Sequence, residues 1–327
     1  MNFEEKTNMD SQKGNWGKIL FLVVIAAFLL IFPALFTLPF PQHIMIMIFL
    51  YATLAQSWNI IGGYAGQISL GHAVYFGAGA YTSTLLLMKW GVSPWLGMLA
   101  GAGLAVGLSQ IIGYPCFRLA GHYFAIATIA IGEITQIAMV NWKGGGGAVG
   151  LYLPILEESF ANFEFHTTKV PYYYIALGIT AITFFVTYLI ERSWLGFYFR
   201  AIKGDLDAAR SLGINIPKYK SIALAISAFF TAVCGTFYAQ YVLFIDPESV
   251  LPLMLSILIC LVAILGGVAT VWGPFLGALV LVPLSEFTRT YLGGGGKAID
   301  LMIYGALIVL IARFQAEGFM GWIKKLR

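Results

Sequence analysis

The sequence is poor in charged residues. Only 10% of its 327 residues are charged, 59% are hydrophobic, and the mean hydropathy is +0.83. Soluble domains carry about 25% charged residues, so this composition excludes an ordinary soluble domain. The net charge of +4 is small and does not indicate a nucleic-acid partner. We therefore predict a membrane protein, because a bilayer can take up so much apolar surface.

Cysteines are few, and catalytic motifs are missing. Cys116, Cys234 and Cys260 stand far apart in apolar runs, without the CxxC or Cys/His spacing of a metal site. We expect them to be small buried packing residues. The sequence has no Ser/His/Asp arrangement, no HExxH motif and no Walker A motif. It therefore predicts neither an enzyme nor a chain that binds a cofactor itself.

Ten apolar segments are long enough to cross a bilayer, which takes roughly 20 helical residues. The first follows Lys18 and lacks a small-residue cleavage site, so we interpret it as a retained span. The ten segments lie at about 19–36, 43–61, 72–88, 95–113, 122–140, 171–190, 221–243, 251–267, 272–290 and 299–313. The predicted fold is all-α: a polytopic membrane helix bundle over 19–313, between tails 1–18 and 314–327.

The positive residues indicate an orientation. With ten spans and the N-terminus inside, 14 of the 19 lysines and arginines fall on the cytoplasmic side. Cytoplasmic loops collect Lys and Arg, so this asymmetry supports the span count. It predicts that both tails and the loop 191–220 are cytoplasmic and that the loop 141–170 is external.

A glycine-rich stretch, NIIGGYAGQISLGHAVYFGAG, joins the second and third spans. Each of its six glycines costs roughly 1 kcal/mol relative to alanine in a helix, so we predict a broken or re-entrant segment. Irregular backbone at membrane depth survives only where protein or a water-filled cavity covers it, and such breaks often line a solute path. The predicted pathway residues here are Gly62, Gly63, Gly66, Gln67, Ser69 and His72, although His72 could equally be a hydrogen-bonded structural residue.

The fifth span carries an ionisable residue, Glu133, beside a stripe that includes Thr128 and Gln136. Charge inside a span is costly and is by default a functional hypothesis, so we add these three residues to the predicted pathway. A structural polar contact within the bundle is the alternative. Glu286 in the ninth span has Arg289 three residues on, which favours a local helix pair.

Two tetraglycine runs fall in predicted external loops, at Gly144–Gly147 and Gly293–Gly296. The second precedes Lys297, but a phosphate-binding loop would also need Gly at 291 and Ser or Thr at 298, where Tyr291 and Ala298 stand. Both runs are typical of flexible turns. The alternative is an outward surface that accommodates a docking protein or a gate.

The cytoplasmic stretch 199–220 predicts a short helix. Asp205 can cap a helix that begins at Leu206, and Asp207 suits the positive end of its dipole. Arg210 falls in the last turn, Gly213 is placed for a left-handed cap, and Pro217 bars continuation. So short a helix must pack on something, so we interpret it as a docking element; a solvated loop that only orients the spans is the alternative.

This loop resembles the "EAA" coupling segment of ABC importer permeases, with Ala208, Ala209 and Gly213 at the matching positions and Asp207 in place of the usual Glu. The resemblance continues through the blocks WNIIGGYAGQISLGHAVYFGAGAY, GHYFAIATIAIGEI, SIALAISAFFTAVCGTFYAQYVLFIDPES and LGGVATVWGPFLGALV. Together they are similar to the M-type permease of branched-chain amino acid ABC importers, over about residues 50 to 315.

The resemblance implies a chain in a bacterial or archaeal inner membrane, working by alternating access. Its implied partners are a second, H-type permease, two cytoplasmic ATPases that bind and hydrolyse ATP with Mg²⁺, and an external solute-binding protein. The implied ATPase-coupling residues are Asp205, Asp207, Ala208, Ala209, Arg210, Gly213 and Pro217. Gly146, Gly147 and Gly150 match a Thr-Gly-Gly-x-x-Gly element of the external loop, but Gly145 replaces its Thr.

Two alternatives stay open. Urea and short-amide permeases share the same blocks, and the missing Thr leaves the solute undecided. A stand-alone secondary transporter or channel would place coupling carboxylates in its spans, and Glu133 is such a carboxylate.

Overall fold

The computed structural model describes residues 27–117, 119 and 121–291, together with 24, 302, 305–306 and 318–325. Its helices are α1 (27–35), α2 (Pro39–Trp58), α3 (His72–Trp90), α4 (Pro94–Cys116), α5 (His122–Asn141), α6 (Val170–Arg192), α7 (Trp194–Gly204), α8 (Leu206–Ser211), α9 (Ile216–Val242), α10 (Pro247–Val250), α11 (Leu253–Gly266), α12 (Gly273–Tyr291) and α13 (Gly318–Lys325). A π-helix, Asn59–Tyr64, extends α2. The all-α fold class is confirmed.

The helices follow the predicted spans closely. Six helical stretches of the described chain are long and apolar enough to cross a membrane: Pro39–Tyr64, Pro94–Cys116, His122–Asn141, Val170–Arg192, Ile216–Val242 and Pro247–Gly266. The predicted third and ninth spans are α3 and α12. The first predicted span is described only from 27 onward as α1, apart from residue 24, and most of the tenth lies outside the described residues. The predicted eighth span, 251–267, is α11, and Leu251 and Pro252 separate it from α10, which ends at Val250.

Close packing of α3, α4 and α9 forms one half of the bundle. A Cβ added at Gly79 would lie 2.0 Å from the carbonyl oxygen of Ala232, and one added at Gly235 would lie 1.9 Å from that of Phe76. Only glycine allows backbones this near each other, and small residues supply much of the packing between membrane helices. Gly101 on α4 meets Gly79 in the same way.

The second half of the bundle is built around α2, which packs against α6, α11 and α12. The hydroxyls of Thr53 on α2 and Thr180 on α6 are hydrogen-bonded at 2.9 Å, and both are buried. Tyr173 on α6 donates to the Leu29 carbonyl of α1 at 2.7 Å, which ties the first helix to this half.

A two-stranded antiparallel sheet joins the predicted external loop to the loop after α9. The strands are β1 (Leu151–Tyr152) and β2 (Phe244–Ile245), and Leu151 pairs with Ile245. The loop 141–170 is further attached to α4 by Trp95, whose indole N–H donates to the Phe160 carbonyl at 2.7 Å. These contacts gather the predicted external loops on one face of the molecule.

The remaining loops gather on the other face. The side chain of Asn59 accepts from the Ala269 N–H at 2.8 Å, and Gly66 packs on Lys203 at the end of α7. Gly318, which opens α13 within the predicted C-terminal tail, packs on Gly267 of the same face. The alternation of loops therefore agrees with the predicted order of spans. Which face is cytoplasmic stays a prediction.

Candidate functional site: the coupling segment and the broken helices

The short helix α8 forms as its sequence predicts. Asp205 has extended backbone, and its carboxylate accepts from the N–H groups of Asp207 and Ala208 at 2.8 and 3.0 Å. Arg210 lies 3.6 Å from Asp207, but both side chains are exposed and such a pair adds little stability. Gly213 has φ +81° and follows the helix in the left-handed conformation. The charges of this stretch therefore serve mainly to start and end the helix.

Pro217 does not merely stop α8. It occupies the first turn of α9, where a missing N–H costs nothing, and Asn215 caps that helix by accepting from the Lys218 N–H at 3.2 Å. The sequence reasoning also missed α7, an eleven-residue helix with Phe199 and Ile202 buried. Its apolar residues recur at helical spacing, which was the available signal.

α8 packs on the bundle through Ala209, and the leucines on either side of that residue stay accessible. Ala209 is buried in a small apolar cluster with Ile202 of α7 and Ile216 of α9. Leu206 is 37% exposed and Leu212 is 79% exposed. Leu206 and Leu212 lie three residues before and after Ala209, so they flank the contact of α8 with α7 and α9. Leu212 was not among the predicted site residues.

The predicted break between α2 and α3 is present, and it touches the coupling segment. After the π-helix, residues 65–71 are irregular, and Gly66 has φ +70°. Lys220, at the start of α9, is only 5% exposed, and its ammonium donates to the Gln67 side-chain carbonyl at 2.7 Å. A Cβ at Gly66 would lie 2.9 Å from the Lys203 side chain. The broken segment is thus held by residues on both sides of α8.

The first turn of α3 is surrounded by hydroxyl groups from three other helices. The Leu70 N–H donates to Thr128 of α5 at 3.0 Å, and the Ala73 N–H donates to Ser256 of α11 at 2.9 Å. His72 is fully buried and lies 2.8 Å from the hydroxyl of Ser227 on α9. These bonds satisfy backbone groups that the break leaves free inside the bundle.

Most of the predicted pathway residues are therefore brought together, in buried contacts. Gly62 packs against Trp58, Gly63 packs against Asn59, and the Trp58 indole donates to the Ser69 carbonyl at 2.7 Å. Gly62, Gly63, Gln67, Ser69, His72 and Thr128 are buried, whereas Gly66 is exposed. Their part in solute movement stays a prediction.

Glu133 and Gln136 lie apart from this group, half-buried on α5. Helical spacing puts Glu133 on the same face as Tyr123, Ile126 and Ile137, which are 70%, 61% and 60% exposed. The Glu133 carboxylate has no hydrogen bond or ion pair within the described residues. The outward face of α5 therefore surrounds one carboxylate with mostly apolar side chains, with His122 exposed at its start.

Glu286 contacts a residue on another helix that the sequence did not indicate. Its carboxylate lies 4.0 Å from His43 of α2, and His43 in turn lies 2.6 Å from the Tyr241 hydroxyl of α9. The side chain of Arg289 lies outside the described residues. The structure thus connects Glu286 to two other helices of the bundle.

The first tetraglycine run is an ordered turn. Gly146, Gly147 and Gly150 all have positive φ, at 82°, 57° and 81°. A Cβ at Gly146 would lie 2.3 Å from the Gly150 carbonyl oxygen, and one at Gly150 would lie 2.5 Å from that of Ile245. The predicted turn is present, and the loop packs closely on β2. The second run lies outside the described residues.

A buried carboxylate, Glu164, organises the rest of this loop. It is fully buried, accepts from the Leu156 N–H at 2.7 Å and lies 3.2 Å from the imidazole of His166. Nearby, Glu158 accepts from the Thr167 hydroxyl and from the backbone N–H groups of His166 and Thr167. These bonds hold the pKa of Glu158 below its usual range, the Thr167 hydroxyl having the largest effect. The spacing of residues in the sequence did not indicate a role for Glu164 or Glu158.

Comparison with known proteins agrees with this arrangement. A family model described as the permease component of the branched-chain amino acid transport system matches residues 40–312. The chain belongs to this family. The family predicted from the coupling segment and the glycine-rich blocks is thereby confirmed. No solved structure shows significant similarity to the chain.

Individual relatives of this permease are distant. The permease protein LivM of the high-affinity branched-chain amino acid transport system of Escherichia coli (strain K12) is 27% identical over 293 residues, 83% of this chain and 68% of LivM. The corresponding LivH of Salmonella typhimurium is 26% identical over 289 residues, 83% of this chain and 91% of LivH. The autoinducer 2 import permease LsrC of an Enterobacter species is 27% identical over 210 residues, 58% of this chain and 57% of LsrC.

Proposed function

We propose that this permease takes up branched-chain or related amino acids as one of two membrane subunits of an ABC importer. Two separate ATPases bind and hydrolyse ATP with Mg²⁺, an external solute-binding protein delivers the solute, and the chain itself catalyses no reaction. The observation that carries the proposal is α8, a capped helix seated on α7 and α9 that presents Leu206 and Leu212. So short a helix is unstable by itself, and its two accessible leucines offer apolar contact to a partner.

The contacts of α8 support a route for coupling. A displacement of α8 would be transmitted to α7 and α9 through the contacts of Ile202, Ala209 and Ile216. It reaches the broken segment through Lys203 at Gly66 and Lys220 at Gln67. Movement of the ATPases would thus shift the start of α3, and with it the hydroxyl contacts of Thr128 and Ser256. That is the movement we assign to alternating access.

The outward face of α5 supports a place for the second permease. A carboxylate near the centre of a span costs at least about 2.5 kcal/mol when it faces lipid, so Glu133 should face protein or water. The exposed Tyr123, Ile126 and Ile137 surround it with apolar surface of the kind buried between subunits. We assign this face to the second permease and to the solute path between the two subunits.

The solute is assigned from the names of the relatives. LivM and LivH are named for branched-chain amino acid transport, whereas LsrC is named for autoinducer 2 import. Uptake of radiolabelled leucine, isoleucine, valine, urea and short amides by cells that contain the complete transporter would test it. Uptake of urea or amides in place of the amino acids would contradict the assignment.

The coupling role is tested with Leu212→Glu. Because Leu212 is 79% exposed, the change should leave the bundle folded while it places charge in the docking surface. We expect at least a tenfold loss of solute uptake, with ATP hydrolysis no longer stimulated by solute. Lys218→Glu, exposed in the first turn of α9, is the control and should keep uptake. Unchanged uptake in Leu212→Glu would refute the role of α8.

A stand-alone secondary transporter is the rival, and Glu133 is the observation that favours it. Purification in mild detergent distinguishes the two hypotheses, because an importer should co-purify with ATPases and a second permease. A chain that purifies alone and takes up solute without ATP would contradict the importer. In that case Glu133→Gln should abolish ion-driven uptake.

A further inference from the structure

A cleft of about 440 Å³ lies between α3, α4 and α5, outside the region occupied by the predicted pathway residues. Its walls are almost entirely apolar and include Gly77, Ala78, Leu104, Leu108, Met139 and Leu251. The volume falls in the range of sites that bind small molecules. The cleft exists because α5 stands away from α4 while α3 forms its floor.

One end of the cleft is positively charged and aromatic. Lys89 and Trp90 line it at the end of α3, and Trp142 lines it just beyond α5. Lys143 follows Trp142 directly, and neither lysine has an ion pair within the described residues. Tryptophan and lysine in this arrangement are typical of the membrane–water interface.

The other end lies deep in the bundle, at the break between α10 and α11. A Cβ at Gly77 would lie 2.4 Å from Leu251, which occupies that break. From Val74 to Lys89 the cleft follows fifteen residues of α3, a rise of about 22 Å at 1.5 Å per residue. One leaflet with its headgroups is half of 40–45 Å, roughly 20–22 Å. The cleft therefore has the depth of one leaflet.

We propose that this cleft binds one anionic phospholipid. An acyl chain lies along α3 against the apolar walls, and the phosphate lies near Lys89 and Lys143. A zwitterionic amino acid fits the cleft poorly, because none of the lining side chains is acidic and none could pair with an α-amino group. The site lies on the face of α5 opposite Glu133, so it is separate from the proposed contact with the second permease.

The test measures lipid that stays on the full chain after purification from native membranes in mild detergent, by native mass spectrometry. We expect one phospholipid per chain. Ala78→Phe fills the cleft and should lower retention at least tenfold. Ala181→Phe makes the same change on an exposed position of α6 outside the cleft and should retain lipid. Equal retention in the two variants would overturn the proposal.

A second measurement tests the headgroup without a change in the walls. Delipidated chain is titrated with phosphatidylglycerol or with phosphatidylcholine, and the wild type should prefer the anionic lipid. A lysine near an anionic headgroup is worth about 1 kcal/mol, or about fivefold, so Lys89→Gln with Lys143→Gln should lower that preference by roughly 30-fold. Equal affinity of the wild type for both lipids would overturn the proposal. So would a cross-link from Leu104→Cys to the second permease, because protein would then occupy the cleft.

Discussion

Breaking the bond between Lys220 and Gln67 should destabilise the protein sharply. Lys220 is 5% exposed and Gln67 is 4% exposed, and their bond is 2.7 Å long. In Gln67→Leu the buried ammonium loses its amide acceptor. A hydrogen bond to a charged group is worth about 1.5–3 kcal/mol, and a buried charged group left unsatisfied adds to that, so we expect a loss of about 3 kcal/mol.

Removing Lys220 instead of its acceptor should cost less stability, and the losses of the two single variants should not be additive. Lys220→Met removes the charge and leaves only the neutral Gln67 amide unsatisfied, at about 1–2 kcal/mol. The double variant, with two apolar groups of similar size, should cost about 1 kcal/mol. The coupling energy of the cycle is then about 3–4 kcal/mol.

The double-mutant cycle is measured on the wild type, the two single variants and the double variant. Their unfolding free energies in mixed SDS micelles would be followed by tryptophan fluorescence. Independent sites add to within about 0.5 kcal/mol. If the double variant loses as much as the two single variants together, within that margin, the bond does not hold the broken segment to α9. The proposed coupling route would then lack its contact through Lys220.

Three further outcomes are expected. Gly235→Ala should lower the unfolding free energy by at least about 2 kcal/mol, because the added Cβ would lie 1.9 Å from backbone of α3. Gly178→Ala on α6 is the control: an added Cβ there has nothing within 4 Å, so the same titration should show a gain of up to about 1 kcal/mol. Since the pKa of Glu158 is depressed in the folded loop, its stabilisation is present above the unfolded pKa of about 4.3 and is lost as pH falls through the folded value. The protection of amides 156–167 against hydrogen exchange, relative to intrinsic rates at each pH, should therefore fall there in the wild type and not in Glu158→Gln. Asp205→Ala should cost α8 about 1 kcal/mol, seen as faster exchange of its amides, and unchanged exchange would count against the cap.

Local features were predictable from the sequence because their causes are local. Apolar runs of bilayer length predict spans, and α2 to α6, α9 and α12 lie where those runs are. Asp205 and Gly213 predict α8 because a capping carboxylate and a left-handed glycine act on neighbouring residues. The frequent glycines after Trp58 predict a break for the same reason. The family also followed from these stretches, since they carry its blocks.

Only the tertiary structure decided which distant residues meet. In the sequence, Lys220 is one of several basic residues in a loop. In the structure it is buried and hydrogen-bonded to Gln67, which lies 153 positions away in sequence. Glu164 was one acidic residue of a polar loop, and only the fold shows that it is buried and hydrogen-bonded. The cleft beside α3 likewise depends on how far α5 stands from α4. Helix propensity and hydropathy depend on residues within a few turns of one another in the chain. Burial, pairing and cavities depend on how separate helices pack, which no short stretch of sequence specifies.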